Sequence, residues 1–413
     1  MNDIMNLPNE KILMVFTLST PWEGYHRGPF IEHIASEIKN SGGYVLCLEP
    51  TILSIHTLIK YPKRIFKLFK GKYKFRKFKD NIYVVPAHTL EHILISVRFG
   101  FFKFINKILL KNQLNKCAHK IDDDIKKIAL IVHRPELYFL KDLTNSTAII
   151  YDCWDDFCLT SDMKNMKVKG NFEREKILAA SSSIIITTSE KLYLRNKKTN
   201  SNTFLIENGY TKVKLNDFSE NDLNSIRKFL SDVKKPIIGY VGNIKHWVDF
   251  DLLKYIILQR PDYSFVFAGS YWEEQGKIYS DFLEKCSNVF VTGYINYKLF
   301  QLYISKFDAG IIPFIQNEFM RSVNPNKFYE YIGTGLPVVS TDIGDLKVKY
   351  GNFAKVVNNK EDFLKKLDEI VNLNENELKH LKEEILKVSC MHEWTVKARF
   401  FVKLFNEHIR MAA

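Results

Sequence analysis

Ser322-Val323-Asn324-Pro325-Asn326-Lys327-Phe328-Tyr329-Glu330-Tyr331-Ile332-Gly333-Thr334-Gly335-Leu336-Pro337-Val338-Val339-Ser340-Thr341 is the stretch around which the rest of the chain is arranged. Asn324 suits a helix N-cap and Pro325 the first helical position, so a helix is predicted from there to Gly333 or Gly335. The apolar run Pro337 to Ser340 then reads as a short buried strand. Lys327 and Glu330 are three residues apart and share one face of that helix, near its electropositive start. Backbone N–H groups, a mobile ammonium and a carboxylate that accepts from paired hydroxyls suit a phosphorylated ligand carrying a ribose. Taken residue by residue, the same pattern is an amphipathic helix with a Lys/Glu surface pair.

Outward from this stretch the chain alternates between strand-length apolar runs and helical patterns. Upstream come strands at Pro236 to Val241, Ser264 to Ala268, Val289 to Thr292 and Ala309 to Pro313, with helices at Phe250 to Leu258 and Tyr297 to Ser305. Downstream are Ala354 to Val357 and a helix from Glu361 to Val371. Residues 211–235 are polar and read as a linker with a helical piece, after the turn Glu207-Asn208-Gly209-Tyr210. Ahead of it a second series runs from Lys11 to Thr17 through Tyr44 to Leu48, Ile82 to Val85, Ile128 to Val132, Ala148 to Tyr151 and Ser183 to Thr187 to Thr203 to Ile206. Such alternation predicts α/β architecture with two doubly wound Rossmann-like domains, as 413 residues also suggest at about 200 residues per domain. A ligand site is expected in a cleft between them.

Cysteines at 47, 117, 153, 158, 286 and 390 form no C-x-x-C pair, so neither a zinc site nor a disulfide framework is indicated. Asp122-Asp123-Asp124 sits among lysines and reads as a solvated helical face, which leaves no metal site in the reading. No apolar run reaches the roughly 18 residues of a membrane span, and no signal-type leader opens the chain. A cytoplasmic protein is expected. The net charge of +13 is concentrated in KYPKRIFKLFKGKYKFRKFK, Lys60 to Lys79, and RFGFFKFINKILLK, Arg98 to Lys111, neither of which holds an acidic residue. Basic residues interleaved with Phe, Ile and Leu favour an anionic membrane surface. No nucleic-acid module surrounds them, so no nucleic-acid partner is expected. The competing reading is a solvated basic face with Phe turned inward.

In the first half, the loop after the first strand, Thr20-Pro21-Trp22-Glu23-Gly24-Tyr25-His26-Arg27-Gly28, lies where open α/β sheets bind ligands. Gly24 would allow close backbone approach, and His26 and Arg27 would contact acceptor or phosphate. His133-Arg134-Pro135-Glu136 and Tyr151-Asp152-Cys153-Trp154-Asp155-Asp156 close two further strands. Adjacent carboxylates can include one with a raised pKa, which makes Asp155 or Asp156 the candidate proton acceptor, with His26 beside them and His133 on the acceptor side. The plain alternative has Asp152 capping the next segment and Asp155 and Asp156 in solvent.

The string Pro-x-Lys-x-x-Glu-Tyr-x-x-x-Gly-x-Pro-Val-Val, preceded in order by GYVGNIKHWVDFDLL, YSFVFAGS and NVFVTGYINYKLFQLYISKFDAGIIPF, resembles the GT-B glycosyltransferases of family 4 type. IENGY and YDCWDDF resemble the same family more weakly. The resemblance implies a GT-B fold: residues 1–210 an acceptor-binding domain with a basic membrane-facing insertion at about 53–111, 211–235 the linker, 236–385 the nucleotide-sugar domain, and 386–413 a helix packing back on the first domain. It implies transfer of a sugar from a nucleotide-sugar, UDP- ahead of GDP-linked, to a hydroxyl of a lipid-linked glycan in cell-surface polysaccharide synthesis, at the inner face of the membrane, with no cofactor and no metal. By position, Gly242 and Asn243 would approach the donor phosphates, Thr292, Gly293 and Tyr294 would flank the base, Glu330 would hold ribose, and Lys327, Arg321 and Asn324 at the helix start would face the pyrophosphate.

Three departures stand out. Ser322 occupies the first glutamate position of the family's Glu-x7-Glu pattern, Asn243 stands where an arginine is usual, and the expected lysine has no clear counterpart, Lys245 being too early and Trp247 close to the place. A nucleotide-sugar 2-epimerase and a noncatalytic sugar-nucleotide or glycan-binding protein are the competing functions.

Overall fold

A computed structural model describes residues 11–50, 74–91, 99–143, 148–159, 168–271 and 279–410. The chain forms two units, one of Met1–Cys158, Lys167–Ile206 and Thr395–Ala413, the other of Leu159–Met166 and Glu207–Trp394.

The first unit contains β1 (Lys11–Thr17), α1 (Gly28–Lys39), β2 (Tyr44–Glu49), β3 (Arg76–Lys79), β4 (Ile82–Pro86), α2 (Gly100–Ile121), β5 (Ile125–Val132), β6 (Ala148–Cys153), α3 (Asn171–Ser181), β7 (Ile184–Thr187), α4 (Glu190–Lys197) and β8 (Thr203–Leu205). Among the described residues its sheet runs β3-β4-β2-β1-β5-β6-β7-β8, and only β3 is antiparallel to its neighbour. Strands β1, β6 and β7 are largely apolar and buried on both faces, as a parallel sheet covered by helices requires. Strand β3, RKFK, is part of the basic run that the sequence reading placed in the membrane-facing insertion; Lys60 to Tyr73 and Arg98 lie outside the described residues. Its charged, outward side chains suit an edge strand. Asp122 follows the last turn of α2 and takes Lys11 Nζ at 2.7 Å and Tyr44 Oη at 2.8 Å, so it is a tether between strands and not a solvated helical face.

The second unit contains α5 (Glu220–Phe229), β9 (Ile237–Val241), α6 (Phe250–Gln259), β10 (Ser264–Ala268), β11 (Val289–Val291), α7 (Phe300–Ile304), β12 (Ala309–Ile312), α8 (Asn326–Ile332), β13 (Val338–Thr341), α9 (Leu346–Tyr350), β14 (Lys355–Val357), α10 (Lys360–Val371) and α11 (Glu375–Ser389). Its described strands form an all-parallel sheet in the order β11-β10-β9-β12-β13-β14. Two boundaries differ from the sequence reading. The expected linker contributes α5, whose Ile226 is buried in this unit's core, because a capping box at Ser219 and Asp222 starts a true amphipathic helix there. The expected C-terminal segment divides: residues to Trp394 stay with the second unit, and only from Thr395 does α12 (Trp394–Arg410) join the first. There Phe401 meets Phe30 at 5.8 Å and Arg399 pairs with Glu37 at 3.0 Å.

Candidate functional site

Strand β9 ends in Gly242, whose φ of +101° disfavours any side chain. An added Cβ there would sit 3.9 Å from Lys327 Nζ, so the turn and the first helical turn of α8 converge. The ammonium lies 4.7 Å from the Tyr240 ring centroid and 4.5 Å from that of Phe314, and no carboxylate pairs with it among the described residues. Two aromatic faces hold the cation in place without neutralising it. Burial, with Lys245 nearby, pulls it down to about 7. Asn243 Oδ1 accepts from Ser270 Oγ at 3.3 Å and its carbonyl from Tyr240 Oη at 2.9 Å, which fixes the turn below that ammonium.

Glu330 points elsewhere. It is buried, its oxygens accept from Tyr297 Oη and, at 2.7 Å, from Gln301 Nε2, and burial still pushes its carboxyl up to about 7. Thr292 Oγ1 accepts from Gly269 N–H at 3.0 Å and donates to Gly293 O at 2.9 Å, pinning a loop on which Gly293 has open space and Tyr294 is 79% exposed.

Two expected donor residues are placed otherwise. Arg321 is 74% exposed and pairs with Glu318 at 3.3 Å, since the two fall one helical turn apart. Asn324 is buried and saturated: its Oδ1 accepts from Asn208 N–H at 2.9 Å and its Nδ2 donates to Tyr329 Oη at 2.8 Å. It ties the loop to the Glu207–Tyr210 turn and leaves Pro325 at the N-cap of a seven-residue helix. The charge beside the Gly242 turn is therefore that of Lys327, in the first turn of a helix only seven residues long.

In the first unit, β6 leads to the two candidate carboxylates, and they separate cleanly. Asp156 is fully buried, with Oδ2 2.7 Å from Arg195 and Oδ1 accepting Cys158 N–H at 3.2 Å. Arg195 also holds Glu175 at 2.8 Å, which in turn accepts from Tyr151 Oη at 2.9 Å. Asp156 thus belongs to a structural lock of β6, α3 and α4 and is withdrawn as a proton acceptor. Asp155 is only half-buried, its Oδ1 has no partner, and burial followed by the charge of Asp156 raises it to about 7.

His133, after β5, lies flat against Trp154 with centroids 6.1 Å apart. Thr17 Oγ1 donates to Ile131 O at 3.1 Å, so it accepts from His133 Nδ1 at 2.9 Å. The imidazole is then the Nδ1–H tautomer, and its unpartnered Nε2 is a bare acceptor, kept neutral by burial that lowers the pKa to about 3. His26 packs edge-on against Trp154 at 4.5 Å; burial and then Arg27 bring it to about 3, so it is too weakly basic for the catalytic role expected of it. Arg27 is buried and faces Asp152 at 3.2 Å, which turns an expected acceptor contact into an internal ion pair. An added Cβ at Gly24 would meet nothing within 4 Å, so the space beside it is open.

Residues 235–372 match the family model described as Glycosyl transferases group 1. Residues 235–372 lie within the second unit, so it is this unit that resembles the group 1 glycosyl transferases. The match spans the Gly242 turn, Lys327 and Glu330 together. A Bacillus subtilis (strain 168) protein named as a teichuronic acid biosynthesis glycosyltransferase, TuaH, is 29% identical over 223 residues, 51% of this chain. The chain spans 54% of that relative's length. Among solved structures, a glycosyltransferase from Rickettsia africae aligns with TM-score 0.66 at 13% identity over 98% of this chain and 100% of the other. Anabaena Alr3699/HepE, solved with UDP and glucose, aligns with TM-score 0.65 at 11% identity over 96% and 100%. These likenesses carry the fold, and the chain has the GT-B architecture.

Within the second unit, sequence reasoning undervalues Lys245 and overlooks Tyr240 and Phe314. Lys245 Nζ stands 4.7 Å from the Trp247 ring, Trp247 lies 6.3 Å from Phe314, and Phe314 backs Lys327. Linear spacing places Lys245 too early, but the loop curls so that it joins the same cationic end of the domain. The signal available is an aromatic in β9, Tyr240, one in the loop after it, Trp247, and one just past the end of β12, Phe314, β9 and β12 being neighbours in the sheet.

Proposed function

We propose that the protein is a glycosyltransferase of cell-wall polysaccharide type that takes its sugar from a nucleotide-sugar, UDP-linked ahead of GDP-linked. The observation that carries the donor half is Lys327, an aromatic-framed ammonium with no described carboxylate, beside a backbone turn that only glycine fits. A pyrophosphate supplies the missing counter-charge, and Lys245 adds a second cation near the place where the family's arginine is absent. HepE, of the same fold, was solved with UDP and glucose, which supports a uridine donor here. Glu330 would take the ribose hydroxyls in exchange for Tyr297, and exposed Tyr294 would lie along the base.

The acceptor half rests on Asp155 and His133. The acceptor hydroxyl donates to His133 Nε2 or to Asp155, and Asp155 takes its proton as the oxygen bonds to the anomeric carbon. The bond from that carbon to the diphosphate breaks, and the electron pair leaves with the nucleoside diphosphate, stabilised by Lys327 and Lys245. Displacement assisted by a base of this kind inverts the anomeric centre. The reading is tested with a panel of UDP- and GDP-sugars and glycan acceptors: wild type should release one nucleoside diphosphate, and Lys327→Ala should lose this with its melting curve unchanged. Full turnover in Lys327→Ala, or epimerised sugar nucleotide as the product, overturns it. The lysines are proposed to supply the leaving-group charge without a metal, so EDTA should leave the rate unchanged, and loss of activity in EDTA that Mg²⁺ restores overturns that part.

A further inference from the structure

Helix α2 holds 22 residues and no Asp or Glu. One face is fixed. Asn106 accepts from Leu90 N–H at 2.7 Å and donates to Glu91 O at 2.8 Å, while Gln113 donates to Pro86 O at 2.7 Å and accepts from His88 N–H at 2.8 Å. Leu110, Leu114, Cys117 and Ala118 complete this inward face. The outward face changes character along its length. Its first turns present Phe101, 67% exposed, Phe104, 61%, and Ile108, at spacings that form one stripe, with Leu109 beside it and Lys103 and Lys107 among them. Its last turns present Lys111, Lys116 and Lys120 with polar neighbours, and Lys120 Nζ reaches 4.5 Å from the Phe75 ring, next to the basic edge strand β3. No acidic side chain pairs with Lys111, Lys116 or Lys120 among the described residues.

We propose that this face of α2 docks on an anionic lipid surface, with Phe101, Phe104 and Ile108 entering the acyl boundary and Lys111, Lys116 and Lys120 meeting head-group phosphates. Exposed apolar side chains interleaved with and followed by lysines, on a helix without a carboxylate, suit a helix lying at an interface with its apolar groups about 5–10 Å into the head-group/acyl boundary. A folded protein partner would call for acidic or hydrogen-bonding complements along the whole stripe, and no nucleic-acid-binding module surrounds these lysines. Among the described residues no helix is long and apolar enough to cross a membrane, so the contact is peripheral. A surface of this kind would present the chain to a lipid-linked acceptor, but its argument does not depend on the sugar chemistry.

The test is co-sedimentation of the full chain with vesicles of phosphatidylcholine mixed with phosphatidylglycerol, and with phosphatidylcholine alone. Wild type should pellet with the anionic vesicles only. Phe101→Ser/Phe104→Ser should partition at least about ten-fold less, since each buried phenyl contributes strongly at the interface. Lys111→Glu/Lys116→Glu/Lys120→Glu should lose binding at low salt as well. All these side chains are outward, so melting curves and UDP binding in solution should match wild type, which separates failure here from failure of the donor reading. Undiminished partition of the phenylalanine variant, equal binding to neutral vesicles, a dimer that the phenylalanine variant dissolves, or preferential binding to duplex DNA each overturns the proposal.

Discussion

At the residue scale, the proposed chemistry turns on two groups drawn to about 7 from opposite sides, Lys327 from above and Asp155 from below. Lys327 should be largely neutral at pH 8 in the free protein and charged beside a pyrophosphate. Calorimetry of UDP binding at pH 8, in buffers of differing ionisation enthalpy, should therefore show uptake of about one proton. Lys327→Arg, charged throughout, should abolish the uptake while retaining part of the binding. An aspartate whose folded pKa is raised holds its proton more tightly folded than unfolded, so Asp155 erodes stability as pH climbs from about 4 to about 7. Asp155→Asn should raise the melting temperature at pH 8, with the gain fading toward pH 4, while transfer is lost. Wild-type kcat/KM should rise through pH 7 on the Asp155 limb and fall above it on the Lys327 limb. Lys327 is legible in the sequence because a short motif fixes its place on a helix. The split between Asp155 and Asp156 is not, because it depends on Arg195, 39 residues away on another element.

At the element scale, loops at strand ends are set by packing that a linear string does not display. Gly269, at the end of β10, has the carbonyl oxygen of Gly242 2.1 Å from where a Cβ would stand. Gly269→Ala should push the β9 turn away from Lys327, cost about 1–3 kcal/mol of stability and weaken UDP binding more than that loss explains, although it replaces none of the candidate residues. Isothermal denaturation and UDP titration of the same variant check both arms. The β6–α3–α4 lock makes the complementary case. Arg195→Met strands the buried Asp156 and Glu175 and should destabilise the first unit by roughly 3–5 kcal/mol. The parallel strands themselves are readable from apolar runs. Strand β3 is not, because an edge of Arg and Lys has no apolar alternation to betray it.

At the scale of the whole molecule, α12 ties the C-terminal residues into the first unit through Phe401, Leu404 and Phe405, all buried. Removing residues from Thr395 onward exposes the α1 surface that Phe401 covers, at about 1.5–3 kcal/mol per large side chain. Hydrogen exchange should then quicken in β1, β2 and α1 while the second sheet keeps its protection. Equal loss in both sheets would contradict the division. Apolar periodicity and order of motifs make the two-unit plan readable at sequence level; the true crossing points are not, since Glu207 and Trp394 are marked only by what they touch. Those touches are specific: Tyr210 N–H donates to His392 O at 3.1 Å, Trp394 N–H to Tyr210 O at 2.9 Å, and Tyr210 bridges Glu393 in parallel.

The segment Glu207–Trp394 therefore begins and ends at one spot, Tyr210 and Glu393 pairing as neighbouring strands do, at about 4.8 Å. Seen as genetic material, residues 207–394 are a cassette with both splice points side by side. A relative's segment spliced in at Glu207 and Trp394 would have to reproduce the hydrogen bonds Tyr210 makes with His392 and Trp394, and the rest of the chain would keep its own sequence.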